Sequence, residues 1–239
     1  MKLRNIVLIA GGGLLVAAIG AGVWLYSSLD SLVKSAIEEY GPQILGVSVK
    51  VGSVKLSLTD GKGTIKNLRI GNPPGYKASQ ALTLSELSIA LDPASVTRDV
   101  VLIRDILVSG ASVNYEKTGN TTNLDAIQRN VDAYMRKSGG GKAAAGGPEK
   151  KMIIDRLAIR GTRASVTSSL TAGSTITTSI PDIQLRDIGK RTNGATAGEV
   201  TRQVMNALVS AVTRAATAAL GNITKGAGKA ADSVRGLFR

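Results

Sequence analysis

Twenty-five consecutive residues, Asn5 to Leu29, carry no formal charge, and nothing else in this chain constrains it as strongly. As a helix the run would rise roughly 37 Å, against a hydrocarbon core of about 30 Å. Trp24 and Tyr26 stand where an interfacial aromatic anchor belongs. The rival expectation is a cleaved signal peptide, since Lys2 and Arg4 form a basic leader and Ala17-Ala18 are small. The apolar stretch is long for such a leader, so an uncleaved anchor is expected. Lys2 and Arg4 precede it, whereas Asp30, Glu38 and Glu39 follow with Lys34 among them. By the positive-inside rule the N-terminus lies in the cytoplasm and everything after Leu29 lies outside.

The chain has no Cys and no His. That removes disulfides, thiol nucleophiles, imidazole or thiolate metal sites and every His-based triad. A Ser–Lys pair is the nucleophilic arrangement that composition leaves open. The 17 carboxylates are scattered, and Glu38-Glu39 is the one adjacent pair, so neither a calcium loop nor a two-carboxylate hydrolase is suggested. Gly139–Gly147 contains Lys142 but lacks the Gly-Lys-Ser/Thr ending of a phosphate-binding loop. No catalytic residue, metal or cofactor is implied, and the expectation is a protein that is not an enzyme.

Beyond the anchor, Leu32, Val33, Ala36, Ile37 and Tyr40 make the stripe of a short amphipathic helix that Gly41-Pro42 should stop. The period then becomes two. Val47, Val49 and Val51 alternate with polar residues, Gly52-Ser53 breaks the register, and Val54, Leu56 and Leu58 resume it. Further strands are expected around Ile65–Ile70, Ala81–Leu91, Val100–Val108 and Ala111–Glu116. A helix from Asn123 to about Lys137 follows, with Asn123 as its cap. Ser138–Pro148 is Gly/Ala-rich linker. Lys151–Arg160, Arg163–Leu170, Ser174–Ile180 and Ile183–Ile188 are again strand-like, and the chain ends in a helix from about Glu199, striped by Val200, Val204, Leu208, Val212, Ala215 and Ala219 as a packing face, and a weaker basic piece, Lys225–Arg239.

One pattern recurs: Ile-x-x-(Leu/Ile)-x-(Ile/Val) closed by Gly, at Ile65–Gly71, Ile103–Gly110 and Ile154–Gly161. Each copy reads as a strand with a local face switch and a glycine where the chain bends towards the next strand.

These residues resemble the AsmA-like family of Gram-negative envelope proteins, in its N-terminal-type region. The likeness runs from Leu29–Gly46 through Thr64–Tyr76 (TIKNLRIGNPPGY), Leu84–Glu116 and Asn123–Val131 to Ile180–Gly189. It implies a sheet rolled into a half-open groove, apolar inside, and a part in lipid traffic and outer-membrane assembly. The chain is short beside the large members of that family. About ten strands spaced at roughly 4.8 Å would give a groove of only about 48 Å.

The expected fold is therefore mainly β with flanking α: a transmembrane helix, a curved antiparallel β-groove and a helical tail. Its divisions are a cytoplasmic tip and anchor (1–29), an AsmA-like β-rich region with two helices (30–137) and a flexible linker (138–149). A second β region completing the same sheet (150–189) and a basic helical tail (190–239) follow. Lipid-groove candidates are Val47, Val49, Leu56, Leu68, Ile70, Leu87, Ile89 and Leu91, whose bland alternative is an ordinary core under helices. Residues 30–149 hold 14 basic and 12 acidic residues, whereas residues 150–239 hold 14 and 5. The basic excess suits a solvated surface or contact with anionic lipid, with Lys225, Lys229, Arg235 and Arg239 as contact candidates. Stacking aromatics are missing from this region, so nucleic acid is not an expected partner. The expected setting is the inner membrane with the bulk of the chain periplasmic, and the expected partners are phospholipid and envelope or inner-membrane proteins. The two functional expectations are a lipid-shielding groove and a non-catalytic accessory or scaffolding subunit.

Overall fold

The computed structural model describes residues 29–137, 150–168 and 174–237, with side chains described as far as Asn222. The expected anchor, Leu29 apart, and the expected linker lie outside the described residues. Three α-helices are described: α1 over 29–45, α2 (Asn123–Lys137) and α3 (Ala197–Leu237). The strands are β1 (Val49–Lys50), β2 (Ser53–Ser57), β3 (Lys62–Gly71), β4 (Gln80–Leu91), β5 (Val100–Thr118) and β6 (Thr121–Thr122). After α2 come β7 (Lys151–Arg160), β8 (Arg163–Thr167), β9 (Thr175–Ser179) and β10 (Ile183–Ile188).

These ten strands form one curved, open sheet in the order β1-β3-β4-β5-β7-β10, with β2 also on β3, β6 and β8 on β5, and β9 on β8. Strands β1/β2, β7/β8 and β10/β9 are successive halves of single paths, so the main sheet is six positions across. At strand spacing that is roughly 29 Å, not 48 Å. The sheet is mixed rather than antiparallel throughout. β1 to β5 form antiparallel pairs, but β5 runs parallel to β7 (Val100↔Lys151 to Ser109↔Arg160) and to β8 (Ser112↔Arg163 to Glu116↔Thr167). A parallel return needs a long crossover, and the segment carrying α2 supplies it.

Several local expectations change. The first helix does not stop at Gly41-Pro42 but continues to residue 45, where Ile44 and Leu45 are buried. Gly41 is there for close approach: a Cβ on it would lie 3.0 Å from Val49 Cγ2. Helix α2 is capped by Thr122 rather than Asn123. The Thr122 hydroxyl accepts from the Asp125 amide (3.1 Å), and the Asp125 carboxylate accepts from the Thr122 amide (3.0 Å). The same reciprocal box, Thr196 with Glu199, opens α3. The tail is a single helix to Leu237, not two pieces.

β5 passes through Gly110 without ending, and a seam of face switches crosses the sheet at that level. Inward side chains jump by an odd number across it: Ile65 to Leu68, Leu87 to Leu84, Val108 to Ala111, Ile159 to Ala164. Asn67, Gly110 and Gly161 adopt positive φ there. At Gly110 (φ 65°) a Cβ would also lie 2.8 Å from the Ser85 hydroxyl, which donates to the Gly110 carbonyl. Two copies of the recurring pattern sit side by side in register (Ile103↔Ile154, Ile106↔Leu157, Val108↔Ile159). The first copy is offset, with Ile65 level with Leu87 and, through it, Val108.

All three helices cover the same apolar face. Helix α1 lies along the β1–β2 edge, where Val33 and Ile37 pack on Val51, Val54 and Ile65. Its side chains also occupy the edge's backbone groups. Asp30 accepts from the Leu56 amide (2.8 Å), Glu38 accepts from the Val51 amide (2.8 Å), and the Lys34 ammonium donates to the Gly52 carbonyl (3.2 Å). Their spacing of four places all three on one helical face. An edge strand is thereby covered.

Candidate functional site: an apolar cavity under the C-terminal helix

Between the sheet and the first turns of α3 lies a cavity of about 290 Å³. β3 supplies Leu68 and Ile70, and β4 supplies Leu82, Leu84 and Leu87. β5 adds Ile106, Val108 and Ala111, β7 adds Leu157 and Ile159, and Leu45 comes from the end of α1. Helix α3 closes it with Val200, Thr201, Val204, Met205 and Leu208. These side chains converge because the seam keeps an apolar face turned inwards on both sides of the bend. Thr201 is the one polar residue in this lining, and its hydroxyl donates to the Ala197 carbonyl (2.8 Å). The wall is left with aliphatic surface and Met, with no ring to stack on and no charge to pair.

Burial grades along the cavity. Ile70, Leu84, Val108, Ala111, Met205 and Leu208 are buried, whereas Leu68, Leu87, Ile106, Val200 and Val204 are half-buried. The half-buried group marks the shallow side, whereas Leu45, Ile70, Leu82, Met205 and Leu208, which also adjoin Leu124 and Ile127 of α2, form the deep end. The volume falls just under the roughly 300 Å³ where small-molecule sites begin, and an apolar wall is what such sites use.

Of the residues singled out in the sequence, Leu68, Ile70 and Leu87 line this cavity. Val47 and Val49 are buried in the main core instead. Leu56 and Ile89 pack half-buried against the smaller cluster under α1. Leu91 lies at the bulge where β4 meets β5, its amide donating to the Gly61 carbonyl at 2.7 Å. The side chains of Lys225, Lys229 and Arg235, and Arg239 entirely, are outside the described residues. Missed in the sequence were the α3 residues of the lining, whose Val/Leu/Ala stripe read only as a packing face.

A buried polar cluster holds the far end of the sheet. The Glu116 carboxylate accepts from Asn72 Nδ2 (2.7 Å) and from the amides of Lys77 (2.7 Å) and Ala78 (2.8 Å). Asn123, fully buried, accepts from the Glu116 amide (3.0 Å) and donates to Asn72 Oδ1 (2.8 Å) and the Asn114 carbonyl (2.6 Å). Together Glu116 and Asn123 tie Asn72, Lys77 and Ala78 to β5, so the cluster reads as a lock on the 72–78 loop. Burial pushes the Tyr115 phenol above its ordinary pKa. Elsewhere, Arg156 is held charged by its hydrogen bond to Asp105 (2.6 Å), and Lys190 by Asp187 (2.6 Å) and Asp155 (3.4 Å).

Among the described residues no group of three or more Asp and Glu side chains is placed to hold a metal ion. Among the described residues one helical stretch, Ala197–Asn222, is long and apolar enough to cross a membrane by length and composition. In this fold the same stretch packs Met205, Leu208, Val209, Ala211, Val212 and Ala216 into the core. Comparison of the chain with protein-family models and with curated proteins returns no match.

Proposed function

We propose that this is a non-catalytic, membrane-tethered protein whose cavity shelters a single aliphatic chain of a lipid, in the manner of AsmA-like envelope proteins. The observation that carries the reading is the cavity wall: aliphatic throughout apart from the Met205 thioether and a Thr whose hydroxyl is already engaged. Burying each methylene of a chain there is worth about 0.8 kcal/mol, with no buried polar group left unmatched. The uncharged run Asn5–Leu29 supplies the tether, with the folded part on the periplasmic side of the inner membrane. A six-position sheet suits holding a lipid chain rather than bridging two membranes. A second reading, an accessory subunit of an inner-membrane complex, draws on the far edge of the sheet, where β9 and β10 each pair on one side among the described strands.

The test is purification of the full chain in gentle detergent, followed by native mass spectrometry and lipid extraction, for wild type and Leu84→Trp. Leu84 lines the buried part of the cavity, so the indole fills it. Copurified lipid in wild type that falls at least tenfold in the folded variant is the expected result. A stoichiometric protein partner with no lipid would transfer preference to the subunit reading.

A further inference from the structure

The cavity does not end at a solid wall. Beside it lies a second void of about 10 Å³, which shares Leu45, Ile70, Leu82, Met205 and Leu208 with it and adds Leu124 and Ile127 from α2. By itself that void is about the size that admits one water, and its lining is wholly apolar.

We propose that Met205 is a gate between the two, and that it sets the length of aliphatic chain the cavity accepts; the inference rests on the lipid-holding function above. Of the five shared residues, Leu45, Ile70, Leu82 and Leu208 have branched side chains with few alternative rotamers. Met205 is unbranched, with three side-chain torsions beyond Cα and a polarizable thioether that packs in more than one shape. It is buried at the deep end, on the helix that roofs both voids, one residue beyond Val204 of the shallow end. Turning its thioether along α3 joins the voids without moving any backbone. The terminal methyl of a longer chain then meets Leu124 and Ile127, and no polar group is uncovered.

The experiment uses the full chain in gentle detergent, exchanged against an equimolar mixture of decanoate, laurate, myristate, palmitate and stearate. Bound species are read by native mass spectrometry, and a thermal melt of each variant confirms folding. Each further methylene that finds buried space raises affinity about fourfold. Met205→Ala removes the gate and should raise the stearate-to-myristate ratio roughly tenfold, as between one and two of the four extra methylenes find buried space. Met205→Phe, a larger and stiffer plug, should shift the profile towards laurate. Opposite shifts in the two variants establish the gate. An unchanged profile in both, with fatty acid still bound, overturns it and leaves the lipid-holding function standing. If wild type takes up none of the five acids, that function falls and the gate with it.

Discussion

Two regions of the same apolar face, built from the same Val, Leu and Ile strands, end up differently packed. Under α2 and the middle of α3 the face is packed apart from the void of about 10 Å³: Val113, Val166, Leu124, Ile127, Val131 and Val212 are at most 2% exposed. Two turns earlier on α3 the face is hollow, and Leu68, Leu87 and Ile106 keep part of their surface. The sheet is equally apolar in both places, so the difference comes from the cover. The solid region lies beneath two helices, one contributing large residues (Leu124, Ile127) and the other small ones (Ala211, Ala216) that let it approach closely. The hollow region lies beneath the start of α3 with only Leu45 added from the end of α1, and Val200, Thr201 and Val204 are too short to fill the gap left by a curving sheet. A cavity here follows from side-chain length on one helix, not from any special residue in the sheet.

A carboxylate placed in each region breaks the comparison most sharply. Val131→Asp puts an unpaired charge where no solvent reaches, at a cost of several kcal/mol against a typical domain stability of about 5–15 kcal/mol. Loss of the cooperative thermal transition is the expected outcome. Leu87→Asp places the same group at the half-buried end of the cavity, where it can turn towards water. That variant should keep its transition within several degrees of wild type yet copurify with little or no lipid. Equal loss of folding in the two would mean that the cavity is an ordinary part of the core.

That contrast also marks how far the sequence could be read. Alternation in Leu82–Leu91 and the switch at Gly110 were legible, because the period of a strand is local. So was the stripe of α3. What covers a strand is not local. Val47, Val49, Leu68 and Ile70 carry the same signal in sequence, yet the first two are core and the last two face the cavity. The parallel pairing of β5 with β7 was hidden because it depends on where the crossover returns, not on either strand's pattern. Gly41-Pro42 read as a helix stop, but burial of Ile44 and Leu45 outweighs that local signal. Glu116 and Asn123 looked like a strand end and a cap, since their partners lie 38 to 51 residues away in Asn72, Lys77 and Ala78.

The polar cluster sharpens the comparison at a smaller scale, because it braces the solid region and not the hollow one. Asn123→Ala deletes three hydrogen bonds and leaves the Glu116 amide and the Asn114 carbonyl buried without that partner. The cost should be about 1–3 kcal/mol, seen as a lower urea midpoint at unchanged slope. Lipid retention by the folded fraction should be unaffected. A change in retained lipid would show that the 72–78 loop and the cavity are coupled.

The smallest effect is expected at the covered edge. The Glu38 carboxylate accepts a hydrogen bond from the Val51 amide, and that bond lowers its pKa below the ordinary value, with Lys50 and Lys34 assisting against the opposing effect of desolvation. A group whose pKa is lower in the folded state binds fewer protons there than in the unfolded chain. Its contribution is therefore fully present above the unfolded pKa, near 4.5, and is lost as pH falls through the lower folded value. Neutralising Glu38 as Gln removes the charge at every pH while keeping an oxygen that can accept from Val51. Thermal melts from pH 7 down to about pH 3 should show wild type losing part of its margin over Glu38→Gln on the acid side, with the curves converging. Curves that stay parallel to the lowest pH would mean that the Val51 amide is satisfied without the charge, and that α1 holds the edge through Val33 and Ile37 packing.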